Sequence, residues 1–421
     1  MRTRWLCTGS RPAALAAVLA AAIALPVALT GCGGVGVSGA ATTAVGSQMT
    51  IYSSLPLQGP SAPASQQIVD GEKLALADVG GRVGPFKVSY VSEDDSSPTS
   101  GKWTPGVTAS NAKTAADDTT TIAFLGDYNS AATAVSLPLI NAAGILQVSP
   151  ASPYVGLTSS EDAGQDEPER FYPSGQRTFG RLQPGDPAQA AAQVKLMGEM
   201  DVHRVYVLDD QDPFDVPLAQ IVAGDAERAG IAVAGEDALD MIDATKFTGE
   251  VEKISKSGAQ AIFFAGEDGP GPVALWRELH SADPSLLLLG SGALASESFT
   301  SRLGAAAAGT YLTTPVLASS LYPPPSTRVL ADYRRNFGGE PGAYALYGYE
   351  AMSVVLHSIR AAGSRGNDRQ SVINRFFATR NRDSVLGRYS IEPDGETTLG
   401  LYGVDRVVSG QPVFYRAINV R

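Results

Sequence analysis

Residues 121–140 read TIAFLGDYNSAATAVSLPLI. The first five, Thr121 to Leu125, form a short apolar run of the kind that reads as a buried strand, and the residues from Ser130 onward read as a helix. Between them, GDYNSAAT (Gly126 to Thr133) gathers small and polar residues where a strand ends and a helix begins. In an α/β fold that position faces a ligand.

The same alternation continues in both directions from this turn. Strands are expected at 49–55, 86–91, 121–125, 145–148, 205–208, 231–234, 261–264, 286–289 and 310–314. Helical stretches fall between them at 66–79, 130–143, 187–200, 217–229, 247–256 and 273–280. Alternation of this kind implies parallel sheets covered by helices on both faces. Residues 159–186, rich in Ser, Asp, Glu, Pro and Gly, separate two groups of βα units and favour two lobes over one barrel. After Pro315 the pattern turns helical, at 326–337, 344–362 and 370–379, and then ends in strands at 387–391, 401–408 and 413–418. A chain that crosses between lobes more than once accounts for this ending, and such crossings form a hinge beside a cleft. The expected fold class is therefore α/β, with two doubly wound parallel-sheet lobes joined by a multi-strand hinge. The first lobe is expected to comprise 48–180 and 312–388, the second 181–311 and 389–421.

The N-terminus bears on compartment. Arg2, Arg4 and Arg11 precede an Ala/Leu/Val run over 12–29, the layout of a secretory signal. It ends in Leu29-Thr30-Gly31-Cys32, which resembles a bacterial lipobox, so residues 1–31 are expected to be removed and Cys32 lipidated. Cys7 lies in the discarded part, so the mature chain has no disulfide framework. Residues 32–47 are small and suit a flexible tether. Read as a phosphate-cradling loop, the glycines around Cys32 fail, because no strand precedes them. Removing the signal leaves 390 residues, long enough for two domains, and takes the formal charge from −11 to −14. An acidic chain without Lys/Arg clusters is a poor match for nucleic acid. No second apolar run is long enough to span a membrane.

Catalytic signatures are sparse. The histidines are His203, His280 and His357, none in a metal-ligand spacing, and no thiolate site is left, so neither metal nor cofactor is expected. Ser110-Asn111-Ala112-Lys113 matches the Ser-x-x-Lys pattern of acylating serines, but Ser-Asp-Asn and Lys-Thr-Gly partners are missing. A surface turn of helix explains it better than an exported serine hydrolase.

Several short motifs occur in one order: Leu57-Gln58-Gly59-Pro60-Ser61-Ala62 with Gly71; Phe124 to Ser130; Pro138-Leu139-Ile140; Gly144 to Ser152; Val205 to Asp210 with Phe214; and YALYGYEA from Tyr344 to Ala351. From about Gln48 onward this set resembles the branched-chain amino-acid-binding family of periplasmic binding proteins, the type 1 extracytoplasmic receptors that feed ABC transporters. The resemblance implies a non-catalytic protein that captures a small ligand, an amino acid or related carboxylate or amide, and hands it to an ABC permease. A ligand-sensing receptor subunit of the same fold is the alternative.

Site residues follow from the matched positions. Ser130, beside Asn129, corresponds to the serine that holds a ligand carboxylate; capping its own helix is its other possible role. Ala151 and Ser152 match positions around the ligand head group. Pro153 and Gly292 depart from the family pattern, since many relatives carry a threonine and amino-acid binders often a glutamate at these places; Ala64 stands where an aromatic is frequent. A buried ammonium still requires an anionic or carbonyl partner, and Glu267 or Asp268 could supply it. Phe214, in a polar turn, and Tyr344 and Tyr347, three apart on one helix face, are candidates for the apolar walls.

Overall fold

The computed structural model describes residues 46–241 and 246–421. The expected signal segment, Cys32 and nearly all of the tether lie outside the described residues. Among the described residues no helix is long and apolar enough to cross a membrane.

The chain starts with β1 (Gln48–Leu55), α1 (Ala62–Asp78), β2 (Arg82–Val83), β3 (Phe86–Asp94), α2 (Pro105–Asp117), β4 (Thr121–Gly126), α3 (Ser130–Ala142), β5 (Leu146–Ser149) and β6 (Phe179–Arg181). These strands form one sheet in the order β2-β3-β1-β4-β5-β6, parallel except for the short β2. A second group follows: α4 (Asp186–Glu199), β7 (Arg204–Asp209), α5 (Val216–Arg228), β8 (Ala232–Ala238), α6 (Thr248–Ser257), β9 (Ala261–Ala265), α7 (Pro270–Ala282), β10 (Leu287–Gly290), α8 (Glu297–Thr300) and β11 (Thr310–Thr314). The chain then returns to the first lobe as α9 (Pro324–Phe337), α10 (Tyr344–Ala361) and α11 (Arg369–Phe377), whose apolar faces join the core of the first sheet. After a small two-stranded ribbon, β12 (Arg382–Asp383) with β13 (Arg388–Tyr389), it ends in the second sheet as β14 (Leu401–Val408) and β15 (Gln411–Asn419). The second sheet runs β15-β14-β11-β10-β9-β7-β8, with its last two strands antiparallel.

Several features differ from expectation: the lobe boundary expected at 180/181 falls inside β6 of the first sheet, and the one expected at 388/389 falls inside β13, whose Tyr389 packs in the first-lobe core together with Ile391. The polar segment 159–186 is not only a separator, since β6 within it pairs with β5 as the edge of the first sheet. The crossing placed between 311 and 312 falls inside β11, all of which belongs to the second sheet, so the chain leaves that sheet after Thr314.

Period-two patterning fills both faces of the second sheet. Val205 and Val207 of β7 point into one core, whereas Tyr206 and Leu208 point into the other, where Trp276 meets Phe264 and Phe299 edge-on at 5.7 and 5.5 Å. In the first lobe, α1 crosses α10 with almost no space between backbones. A Cβ on Gly71 would lie 2.1 Å from the Ala345 carbonyl oxygen, and one on Gly348 2.1 Å from that of Ile68. Only glycine permits this approach, and it sets where the N-terminus of α10, with Tyr344, meets the cleft.

Candidate functional site

A cavity of about 190 Å³ lies between the lobes, beyond the carboxyl ends of strands from both sheets. The loops after β4, β5, β7, β9, β10 and β11 all contribute to its lining. Open parallel sheets place ligands there because the strands end together and the following helices begin with unpaired N–H groups.

The first-lobe wall is the N-terminus of α3. Gly126 ends β4 at φ +137°, with its α-carbon so near the Ser54 carbonyl that a Cβ would come within 2.7 Å of the oxygen. The turn after it is held from behind by a buried polar network. Ser149 and Ser152 donate to the Asp127 carbonyl at 2.8 and 3.0 Å, Thr133 Oγ1 lies 2.7 Å from Ser152 Oγ, and Ser136 donates to the Asp127 carboxylate. Burial, with the nearby Asp95 carboxylate adding to it, holds the Asp127 carboxyl well above its ordinary range. A turn fixed on every side in this way presents Asn129, Ser130 and Ala131 to the cavity with little freedom.

Ser130 is the first residue of α3 and does not cap it; its hydroxyl oxygen accepts the Tyr154 N–H at 3.2 Å. That leaves its own hydrogen, and the N–H groups of the first turn, to face the cavity. A helix N-terminus with a free hydroxyl favours an anionic group.

The second-lobe wall has the opposite character. Asp212 and Asp215 from the loop after β7 and Glu267 from the loop after β9 line it, and Asp186, at the start of α4, closes the hinge side. Burial raises Asp186 to about 7, partly countered by Arg181. Asp215 is pushed well above the ordinary carboxylate range by burial and then by Asp210, Glu267 and Asp212. Glu267 keeps an exposed edge on the cavity, yet partial burial raises its carboxyl above the ordinary value, with Lys102 opposing and Asp212 and Asp210 reinforcing the shift. No Lys, Arg or His is among the lining residues.

Aromatic rings complete the enclosure. Phe214 meets Tyr154 of the opposite lobe edge-on at 5.0 Å, and Tyr344 packs 5.8 Å from Tyr128. Trp103 stands at the edge of the cavity, which also opens toward an apolar groove on α3 walled by Trp103, Ala131 and Phe214.

Of the residues singled out in the sequence, Asn129, Ser130, Ala151, Phe214, Glu267 and Tyr344 line this one cavity. Three do not. Ser152 is fully buried behind the loop, with its hydroxyl directed to the Asp127 carbonyl. Asp268 turns away and pairs with Arg302 and Ser298. Tyr347 is a core residue whose hydroxyl donates to the Pro315 carbonyl at 3.0 Å. Pro153 and Gly292, the departures from the family pattern, do line the cavity. Ser110 is exposed on α2 and Lys113 pairs with Asp117 at 2.8 Å, which leaves the Ser-x-x-Lys match as a turn of surface helix.

Trp103, Gln183, Asp186, Asp212 and Asp215 escaped the sequence reading. Asp212 and Asp215 flank Phe214 in the turn after β7, and two carboxylates beside a solvent-edge aromatic at a strand end were a signal. Gln183 and Asp186 lay in a segment whose composition reads only as linker.

Comparison with known proteins agrees with this fold. The chain is 25% identical over 321 residues to Leu/Ile/Val-binding protein homolog 1 of Brucella suis biovar 1 (strain 1330), covering 76% of this chain and 79% of that protein. Its fold is similar to that of a leucine-binding protein from Thermotoga maritima MSB8, with a TM-score of 0.73 and 21% identity over 88% of this chain and 99% of the other. It is also similar to a solute-binding protein from R. palustris in complex with 4-hydroxybenzoate, with a TM-score of 0.71 and 17% identity over 88% and 96% of the two chains. These are binding proteins, and this chain is a solute-binding protein, not an enzyme. The profile of the periplasmic binding protein family matches residues 50–410, and the chain belongs to that family.

Proposed function

We propose that this protein is lipid-anchored through Cys32, captures an amino acid or a related carboxylate or amide in the interlobe cleft, and delivers it to an ABC permease. The observation that carries this reading is the opposition of Ser130, at the N-terminus of α3, to Glu267 across one cavity. An anion-favouring group faces a cation-favouring one from separate lobes, so a ligand bearing both groups joins the lobes. The ligand's differential contacts with open and closed forms then drive closure, and a permease that recognises the closed form receives a loaded protein.

Glu267 supplies from the loop after β9 the negative charge that Gly292 lacks. Gly292 also has little room for a larger residue, since its Cβ would sit 3.0 Å from the Thr313 carbonyl oxygen. Relatives named for leucine, isoleucine and valine, and the neighbour holding 4-hydroxybenzoate, have a carboxylate-bearing ligand in common. Residues 1–31 serve as the export signal in this reading, and 32–47 as the tether that lets the lobes reach the permease.

The test is mass spectrometry of small molecules released from the purified protein, followed by thermal-shift titration with the compound found. A carboxylate-bearing solute that raises the melting temperature, and does so less in Ser130→Ala, supports capture in this cleft. Failure of any amino acid, carboxylate or amide to stabilise the protein overturns it. Incorporation of labelled fatty acid that disappears in Cys32→Ala tests the anchor separately.

A further inference from the structure

A neutral zwitterion would leave much of the second-lobe wall uncompensated. Asp212, Asp215 and Glu267 line the cavity together, and Asp209 and Asp210 stand immediately behind them. Within this group the protein's own donors are few. Asp209 accepts the Gln211 N–H at 2.8 Å, Asp210 those of Asp212 and Glu267 at 3.0 and 3.1 Å, Asp212 that of Phe214 at 2.8 Å, and among the described residues Glu267 meets only the Asn129 side-chain amide, at 3.5 Å. Asp215 occupies the N-cap position of α5 without making the capping bond, and no donor among the described residues meets its carboxylate.

A second observation points the same way. Gln183 is 5% exposed and lines the cavity, yet its side-chain oxygen has no partner among the described residues. The Asn129 side-chain oxygen is likewise buried and unpartnered. Unmet buried acceptors are costly unless a ligand donates to them. The vacant groups of this wall are therefore acceptors, both charged and neutral. A divalent ion is a poor occupant, because no grouping of His, Cys, Asp or Glu among the described residues has the geometry to hold a metal.

We propose that the solute is net cationic, a basic amino acid, with its amino or guanidinium groups held among Asp212, Asp215 and Glu267 and hydrogen-bonded to Gln183 and Asn129. This rests on the capture reading above and sharpens it to a substrate class. A primary ammonium brings three donors and a guanidinium five, which matches a wall of acceptors better than one ammonium on a leucine-like ligand.

Isothermal titration of the full chain, solubilised in detergent and dialysed free of co-purified solute, would compare L-lysine, L-arginine and L-ornithine with L-leucine and 4-hydroxybenzoate. The expected result is a Kd for at least one of the first three that is about tenfold or more below both of the others. Asp215→Asn, a near-isosteric change at a cap position that makes no bond, should weaken that basic ligand by about tenfold while the unliganded melting temperature stays unchanged. Binding of L-leucine or 4-hydroxybenzoate as tightly as the best basic compound overturns the inference but leaves solute capture standing. Equal affinity of Asp215→Asn and the parent protein for the basic ligand also overturns it. If none of the five binds and no small molecule is released from the purified protein, capture in this cleft fails, and the inference with it.

Discussion

The side-chain amide of Asn129, just after β4, faces the carboxylate of Glu267, just after β9, across the cleft at 3.5 Å. The two residues are 138 positions apart in the chain and belong to different lobes. A contact at that distance and with an exposed edge is too weak to hold the lobes together unaided. Closure is therefore expected to depend on what lies between them. Glu267→Ala should leave the melting temperature of the solute-free protein unchanged within a degree or so and weaken its solute by about tenfold or more. Calorimetry with parallel small-angle scattering would check this; an unchanged Kd would remove Glu267 from the site.

Ser130→Ala tests the opposite wall. The hydroxyl lost here accepts the Tyr154 N–H at 3.2 Å and presents its own hydrogen to the cavity. One hydrogen bond to a charged group is worth about 1.5–3 kcal/mol, so affinity for a carboxylate ligand should fall by about tenfold or more. A carboxyl-free analogue should lose much less. Equal losses for the two ligands would mean that Ser130 acts only by holding Tyr154.

Gly348→Ala probes the crossing of α1 and α10. A Cβ there would meet the Ile68 backbone at 2.1 Å, and backbone cannot step aside as a flexible side chain can. Denaturant unfolding should show a loss of about 1–3 kcal/mol, and Gly71→Ala a similar one. Solute affinity should fall as well, because Tyr344 begins the same helix.

Arg181 offers a pH-dependent prediction. It is fully buried at the end of β6, donates to the Ser152 and Tyr154 carbonyls at 2.9 and 2.7 Å, and pairs with Glu396 from the last crossing between lobes. Burial opposes ionisation of Glu396, but Arg181 outweighs it and holds that carboxyl below its ordinary value of 4.5. A carboxyl depressed in the folded state stabilises fully above its unfolded pKa. That contribution is lost as pH falls below about 4.5 toward the folded value. Glu396→Gln should flatten this part of the acid-unfolding curve. Arg181→Met should cost about 3 kcal/mol at neutral pH by stranding Glu396 and two carbonyls.

Much of the architecture was legible in the chain itself. The strands around Thr121 and Val205, the helices from Ser130 and Tyr344, and the final hairpin through Ser409 and Gly410 depend on periodicity and turn chemistry, which act over a few residues. The candidate site was half legible for the same reason. Ser130 and Glu267 stand at strand ends, where local pattern already marks a position that faces ligand.

What local pattern could not show is where side chains go once the lobes come together. Ser152 and Tyr347 carry suitable groups, yet a backbone carbonyl nearby gave each hydroxyl a partner outside the cavity. Asp268 found Arg302, 34 residues along the chain, and turned away from the cleft. Gln183 and Asp186 lie in a stretch that reads as linker, and only the pairing of β6 with β5 carries them to the cavity. The sequence by itself determined the strands, helices and turn that can face a ligand. The tertiary structure decided which carboxylates share one wall, because that depends on contacts between segments that sequence spacing does not relate.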